Sequence, residues 1–439
     1  MKRYETYKDS GIQWVGEIPS HWEIVKLRYT GTFENGLTYS TGDIVEDDGI
    51  LVLRSSNIQD EHITFDDCVY VNSVPKELMV SKGDIIICSR NGSAALIGKC
   101  AIIEDDVKAS FGAFMMRYRA NINNKFAFYL FLSAVANYRG LFSTSTINQL
   151  TMSIINQMQV ALPSDTEQKN IATYLDHKVG QIDVAIAEKE QMLEDLKNYR
   201  SAIISEAVTK GLDKNVEMKD SGVEWIGMIP KHWNINKLKF FADISTGTTP
   251  STDNEEYWKE PTENWYTPSD FCEENVHLET SSRKVSTTAF RESACRVFKK
   301  DVVLVVGIGA TLGKIGISSV ECSANQQINA IEFYDNVYPL FGAYYLSSLK
   351  EVMKSLASAA TLAIMNQSVT GSIPFVCPTL DEQKEIADYL EKKTKSIGSL
   401  LNQIEVQIDE LKSYKSVLIT EAVTGKIDLR DWKPKEENV

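Results

Sequence analysis

The segment KDSGIQWVGEIPSHW at 8–22 returns as KDSGVEWIGMIPKHW at 219–233, an offset of 211 residues. LPSDTEQKNIATYL at 162–175 returns as CPTLDEQKEIADYL at 377–390, and NYRSAIISEAVT at 198–209 as SYKSVLITEAVT at 413–424, both at an offset of 215. The chain is one unit written twice, and a two-member duplication is not a solenoid, which needs three or more stacked repeats. Each copy reads as a variable block followed by a constant one. The boundaries are a repeated segment at 1–22, a variable domain at 23–161, a constant helix at 162–212, the repeated segment again at 213–233, a second variable domain at 234–376, and a last helix and tail at 377–439.

The constant blocks carry a heptad seam. In the first copy Ile171, Leu175, Val179, Ile182, Ile186, Leu193, Leu196 and Ile203 follow alternating steps of four and three, with Lys189 and Arg200 as polar interruptions. The second copy runs Ile386, Leu390, Thr394, Ile397, Leu401, Ile404, Ile408, Leu411 and Leu418 in the same register. Capping boxes, Ser164 with Glu167 and Thr379 with Glu382, open each helix after Pro163 and Pro378, and Gly211 and Gly425 mark the ends. Two matched helices of about 43 residues, each roughly 60 Å long, are expected to pair as an antiparallel coiled coil.

The variable blocks alternate short β-branched and aromatic runs with Gly, Asn, Ser and Asp clusters, which predicts an α/β (α+β) fold with a mostly antiparallel sheet. They share a skeleton. GLTYST at 36–41 answers to GTTPST at 247–252, LRSSNI at 53–58 to YTPSDF at 266–271, and KGDIIICSRNGSAALIGKCAI at 82–102 to KKDVVLVVGIGATLGKIGI at 299–317.

The chain has 439 residues, 43% hydrophobic, and a net charge of -14, which argues against a nonspecific nucleic-acid binder acting alone. No run reaches a membrane span, and the MKRYETYKDS start has no apolar core, so a cytoplasmic chain without a secretory signal is expected. Seven scattered cysteines without a Cys-x-x-Cys pair point to reduced thiols rather than a disulfide frame or a metal site.

The SGxxWxGxIPxHW segments, the Pro-x-x-x-Glu-Gln-Lys-x-Ile-Ala helix starts and the EAVT endings together resemble the specificity subunit of type I restriction-modification systems, over nearly the whole length. The resemblance implies a non-catalytic subunit with two target recognition domains, each reading one half of a bipartite asymmetric site in double-stranded DNA. It implies that the paired helices set the spacing and dock two methyltransferase subunits, through which restriction/translocase subunits join. No cofactor is expected in this chain; S-adenosylmethionine, ATP and Mg would belong to the partners. Two alternatives, a stand-alone nucleic-acid-modifying enzyme and a coiled-coil adaptor without DNA readout, fit less well: no Asn-Pro-Pro-Tyr or Asp-Pro-Pro-Tyr element occurs, and an adaptor has no use for divergent loops on a shared skeleton.

Candidates for DNA contact come from polar loops, since Arg forks onto guanine and Asn onto adenine. The first block offers Tyr39, Thr41, Arg54, Ser55, Asn57, Arg90, Asn91 and Lys99; the second offers Thr248, Thr249, Ser251, Tyr266, Ser269, Asp270, Lys314, Asn325, Gln326 and Gln327. Each could equally be a turn or capping residue. Lys99 and Lys314, matched after a Gly-rich loop, suit phosphate contacts. GIGATLGKI at 307–315 is not a phosphate loop, because its spacing is wrong and Ile315 stands where Ser or Thr must be. Glu167 and Glu382 read as helix caps rather than nuclease carboxylates, and His62, His177 and His277 have no repeat counterparts. Trp14, Ile18, Pro19 and Trp22, with Trp225, Ile229, Pro230 and Trp233, are expected to plug each recognition domain against the helices.

Overall fold

The computed structural model describes residues 2–46, 49–138, 149–358 and 364–434; parts of both variable blocks (139–148, 359–363) and the last five residues of the tail lie outside them. The chain forms two compact units, one of residues 1–189 with 407–439 and the other of residues 190–406.

In the first unit a hairpin pairs Tyr7–Asp9 with Glu17–Pro19, and Glu23–Lys26 pairs antiparallel with Gln159–Leu162. The recognition domain between them holds an antiparallel sheet in the order 100–102, 85–88, 115–120, 31–35. A second sheet has the order 109–111, 50–53, 70–71, 44–45, its first pair parallel. The run Ile85–Cys88 is buried at every position, as a central strand covered on both faces requires.

The second unit repeats the plan. Met218–Asp220 pairs with Met228–Pro230, and Asn234–Lys237 with Pro374–Cys377. A five-stranded sheet runs 242–246, 328–333, 302–306, 315–318, 277–278, with Val302–Val306 wholly buried. A three-stranded sheet runs 284–285, 263–266, 323–324. His277 thus lies on a strand beside 315–318, while His62 lies on a two-residue strand, His62–Ile63, in the corresponding part of the first unit. That placement gives His277 a structural counterpart that the alignment of repeats does not show.

The constant blocks are the helices Asp165–Lys210 and Leu380–Val423, 46 and 44 residues long. In the first unit Lys189 Nζ donates to Gln407 Oε1 at 2.7 Å and Lys415 Nζ to Asp183 Oδ1 at 2.8 Å, so one number rises as the other falls and the pairing is antiparallel. Ile171, Leu175, Val179, Ile182, Ile186, Ile408 and Leu418 are buried there, with Leu411 half-buried. In the second unit Ile203, Ile386, Leu390, Ile397 and Leu401 join one apolar core with Leu193 and Leu196 at its margin, and Ile404 is buried too.

The repeated aromatic segment is anchored by a polar bond as well as by packing. Trp22 and Trp233 are 0% and 1% exposed. Their indole N–H groups donate to Glu167 Oε1 and Glu382 Oε1, both at 3.1 Å. The other carboxylate oxygen takes the cap hydroxyl, Ser164 Oγ or Thr379 Oγ1, at 2.7 Å. Gly425 and Gly211, both at positive φ, end the helices against these indoles, where a Cβ would stand 3.1 Å from a ring carbon. Trp14 is only half-buried and Trp225 is exposed, which corrects the expectation that all four tryptophans are plugs.

The neighbouring glutamine ties each helix to its recognition domain. Gln168 Oε1 accepts from Asn123 N at 3.1 Å and Gln383 Oε1 from Tyr338 N at 2.7 Å. About two turns further on, Tyr129 Oη donates to Asp176 at 2.8 Å and Tyr344 Oη to Glu391 at 3.1 Å.

Candidate nucleic-acid interface

In the first unit an open cleft of about 1100 Å³ is lined by Tyr39, Arg54, Ser55, Arg90 and Asn91 from five candidate positions, together with Gly112 and Phe114. Its shape follows from local chain rules. Gly36 lets the 37–39 loop press on the 111–112 backbone, where a Cβ would meet Gly112 O at 2.1 Å. The turn Ser55–Asn57 is closed by Asn57, whose Oδ1 accepts from Arg54 N at 2.9 Å and whose Nδ2 donates to Thr64 O and Asp67 O. Arg90 lies over the Phe114 ring, 5.2 Å from its centroid, and Phe114 is 58% exposed. Asn91 Nδ2 donates to Ser55 Oγ at 3.3 Å, and Arg54 pairs with Asp67 at 2.6 Å. The cleft therefore offers one stacked guanidinium, one paired guanidinium and an exposed ring.

The second unit builds the same place from other residues. Backbone bonds show the correspondence: Cys88 N donates to Lys99 O and Val306 N to Lys314 O, while Ser89 N donates to Phe114 O and Gly307 N to Gln327 O. Gly247 presses on Ala324 O at 2.3 Å from its Cβ position, as Gly36 does on Gly112. Around it gather Thr248, Thr249, Asn325, Gln326 and Gln327: Thr249 Oγ1 bonds Gln326 Oε1, Asn325 N donates to Tyr266 O, and Asn325 Nδ2 bonds Gln327 Oε1 at 3.2 Å, while the Ser269 hydroxyl is shared with Thr267 Oγ1 at 2.9 Å. Here the lining is neutral amide and hydroxyl, where the first unit presents arginine and an aromatic ring.

Several candidates serve the fold instead. Asn57 has no exposed surface and its amide is fully used, so it is a turn lock and not a base reader. Tyr266 is buried, its hydroxyl on Leu278 O at 3.1 Å. Asp270, the counterpart of Asn57, accepts from Thr267 N at 2.7 Å, Thr267 Oγ1 at 2.9 Å and Ser282 N at 2.7 Å. Lys314 Nζ is turned to Phe271 O at 3.1 Å, which removes it from the phosphate role expected for it. Ser251 closes a turn, its Oγ accepting from Asp253 N at 3.3 Å. Thr41 is exposed in the turn Thr41–Asp43 and Lys99 is half-buried; neither lines the cleft.

Two side chains escaped the sequence reading. Phe114 sits in a loop with no polar chemistry to mark it. Arg283 is exposed over both Trp258 and Trp265, 5.1 Å from each ring, and Trp265 Nε1 donates to Thr248 O at 3.0 Å, so this stacked cation stands beside the second set of loops.

The same domain plan twice, with unlike polar loops at matching places, defines a duplicated recognition protein. The chain belongs to the type I restriction modification DNA specificity domain family, which it matches over residues 19–194 and 230–410. It is 22% identical over 446 residues to the StySPI type I restriction enzyme specificity subunit of Salmonella potsdam, spanning 95% of this chain and 91% of that one. To the EcoKI specificity subunit of Escherichia coli it is 29% identical over 236 residues, 51% of this chain and 48% of that one. A solved chain from work on complex assembly and conformational transition of the type I R-M system shares the fold, with a TM-score of 0.71, 16% identity, and coverage of 93% of this chain and 99% of that chain.

Proposed function

We propose that the chain is the DNA sequence-specificity subunit of a type I restriction-modification complex, each unit's cleft reading one half of a bipartite asymmetric site while the paired helices set the interval. The observation that carries this is the pair of topologically matched loop sets with unlike side chains, Arg54, Arg90 and Phe114 around the cleft of the first unit and Thr249, Gln326 and Gln327 at the matching place in the second. Identical readers would suit a palindrome; unlike readers suit a split target. Arg90, stacked and oriented, fits a guanine edge, and the amides fit adenine.

The chain contributes no chemistry in this reading. Two methyltransferase subunits dock on it and restriction/translocase subunits join through them, in the cytoplasm with the DNA. S-adenosylmethionine, ATP and Mg belong to those partners. Uncovered apolar side chains on the helices support docking: Val184, Tyr414 and Val417 in the first unit, Met192, Tyr199, Leu400 and Val406 in the second. Among the described residues no helix is long and apolar enough to cross a membrane.

Reconstitution with methyltransferase subunits, followed by selection from random duplexes and mapping of methylated adenines, tests the reading. A split consensus is expected, and affinity should fall with salt as phosphate contacts are screened. A complex that selects no sequence, or S-adenosylmethionine binding by the isolated chain, overturns it.

A further inference from the structure

Arg200 and Lys415 occupy the same position of the two repeats, 215 residues apart, and both interrupt the apolar seam. A cation at a seam position weakens helix pairing unless it finds a partner. In the first unit Lys415, its side chain 12% exposed, meets Glu61 Oε2 at 2.7 Å as well as Asp183 Oδ1 at 2.8 Å. Glu61 forms the tip of the hairpin that joins Ile58–Gln59 to His62–Ile63, where Asp60 and Glu61 both take positive φ. In the second unit Arg200 donates from Nη1 to Glu273 O at 2.9 Å and from Nη2 to Glu274 O at 2.8 Å, in the corresponding loop.

Both loops lead straight into the turns that carry the candidate readers. Ile58 follows the turn Ser55–Asn57, and Asn57 ties that turn to Thr64 O and Asp67 O, so hairpin and cleft turn move as one body. Glu273 comes three residues after Asp270, the last residue of the turn that carries Ser269, and Lys314 Nζ holds the intervening Phe271 O. The linkage is crossed in each repeat. The first recognition domain runs on into the helix Asp165–Lys210 but is gripped by Lys415 of the other helix; the second precedes Leu380–Val423 but is gripped by Arg200 of the first.

We propose that Lys415 and Arg200 are positioning residues for target reading, each pinning the cleft turn of one recognition domain to the helix that does not follow it in sequence. This rests on the specificity-subunit reading and deepens it. A fixed turn matters because base-edge hydrogen bonds discriminate only when their donors are held within a fraction of an ångström. The two locks work independently, one per half-site.

The test uses the full chain assembled with its methyltransferase subunits and duplexes altered in one half-site at a time. Lys415→Met keeps the seam apolar and removes the grip. Expected is at least a tenfold loss of discrimination at the half-site read by the first unit, none at the other, and undiminished thermal stability of the helices; Arg200→Met gives the mirror result. Glu61→Gln, which leaves both helices untouched, should reproduce the Lys415→Met loss without adding to it, and Lys415→Arg should restore most of it. Unchanged discrimination in both Lys415→Met and Glu61→Gln, or an equal loss at both half-sites, overturns the proposal. A wild-type complex without sequence preference would instead overturn the specificity reading itself.

Discussion

Trp22 donates its indole N–H to Glu167 at 3.1 Å, joining the repeated amino-terminal segment to the first turn of a helix more than 140 residues away. His21 Nε2 lies 2.9 Å from the same oxygen, and Ser164 Oγ donates to the other. One carboxylate therefore closes a helix cap and anchors a strand segment. Trp22→Ala should destabilise the first unit by about 3–5 kcal/mol, because a fully buried indole is lost. Trp22→Phe keeps most of the volume and should cost about 1–3 kcal/mol through the lost indole hydrogen bond to a charged carboxylate. Urea denaturation followed separately in each unit would check both.

Acid should weaken the second unit through Glu382. Burial pushes its carboxyl upward, but hydrogen bonds from Thr379, His232 and Trp233 outweigh that and hold it at about 2, below the ordinary 4.5. The unfolded chain then binds the proton more readily than the folded one, so this contribution is complete above pH 4.5 and is lost as pH falls toward 2. Urea midpoints across that window should fall in the wild type and lose part of their slope in Glu382→Gln. An unaltered slope would mean other carboxylates carry the acid response.

Gly36→Ala should disrupt the first cleft, because the added Cβ would stand 2.1 Å from the Gly112 carbonyl oxygen and neither backbone can give way cheaply. A cost of about 1–3 kcal/mol is expected, with DNA reading by the second unit preserved. Binding to duplexes changed in one half-site would separate the two.

Arg90→Ala and Gln327→Ala should relax specificity at different ends of the target. Each good bidentate pair is worth about 1–3 kcal/mol of discrimination, so one altered base preference per variant is expected, visible as a changed consensus in the selected duplexes. Phe114→Ala should lower selectivity at the same end as Arg90→Ala, since the ring carries that guanidinium at 5.2 Å.

The duplication, the two helices, their caps and most of the seam were readable from residue spacing, because heptads and capping boxes are local patterns. The clefts were half readable. Loops with Arg, Asn and Gln could be named, yet whether an amide faces outward depends on the turn it closes: Asn57 and Asp270 sit three residues after Arg54 and Thr267 and are consumed by their backbone N–H groups. Tyr266 and Lys314 were lost for a related reason, each meeting a carbonyl that only the folded sheet brings near. Lys189 and Arg200 looked like flaws in a seam; their partners, Gln407 and the 273–274 loop, are long-range and leave no periodic trace.

The division of the chain also bears on its synthesis. Residues 190–406 are contiguous and can close as soon as they leave the ribosome, whereas residues 1–189 must wait for 407–439 to complete their unit. At ordinary elongation rates that interval is on the order of 10–45 s. The nascent amino-terminal half spends it without Gln407 and Lys415, the partners of Lys189 and Asp183, a stage at which chaperone capture or pairing with a neighbouring nascent chain competes with correct folding.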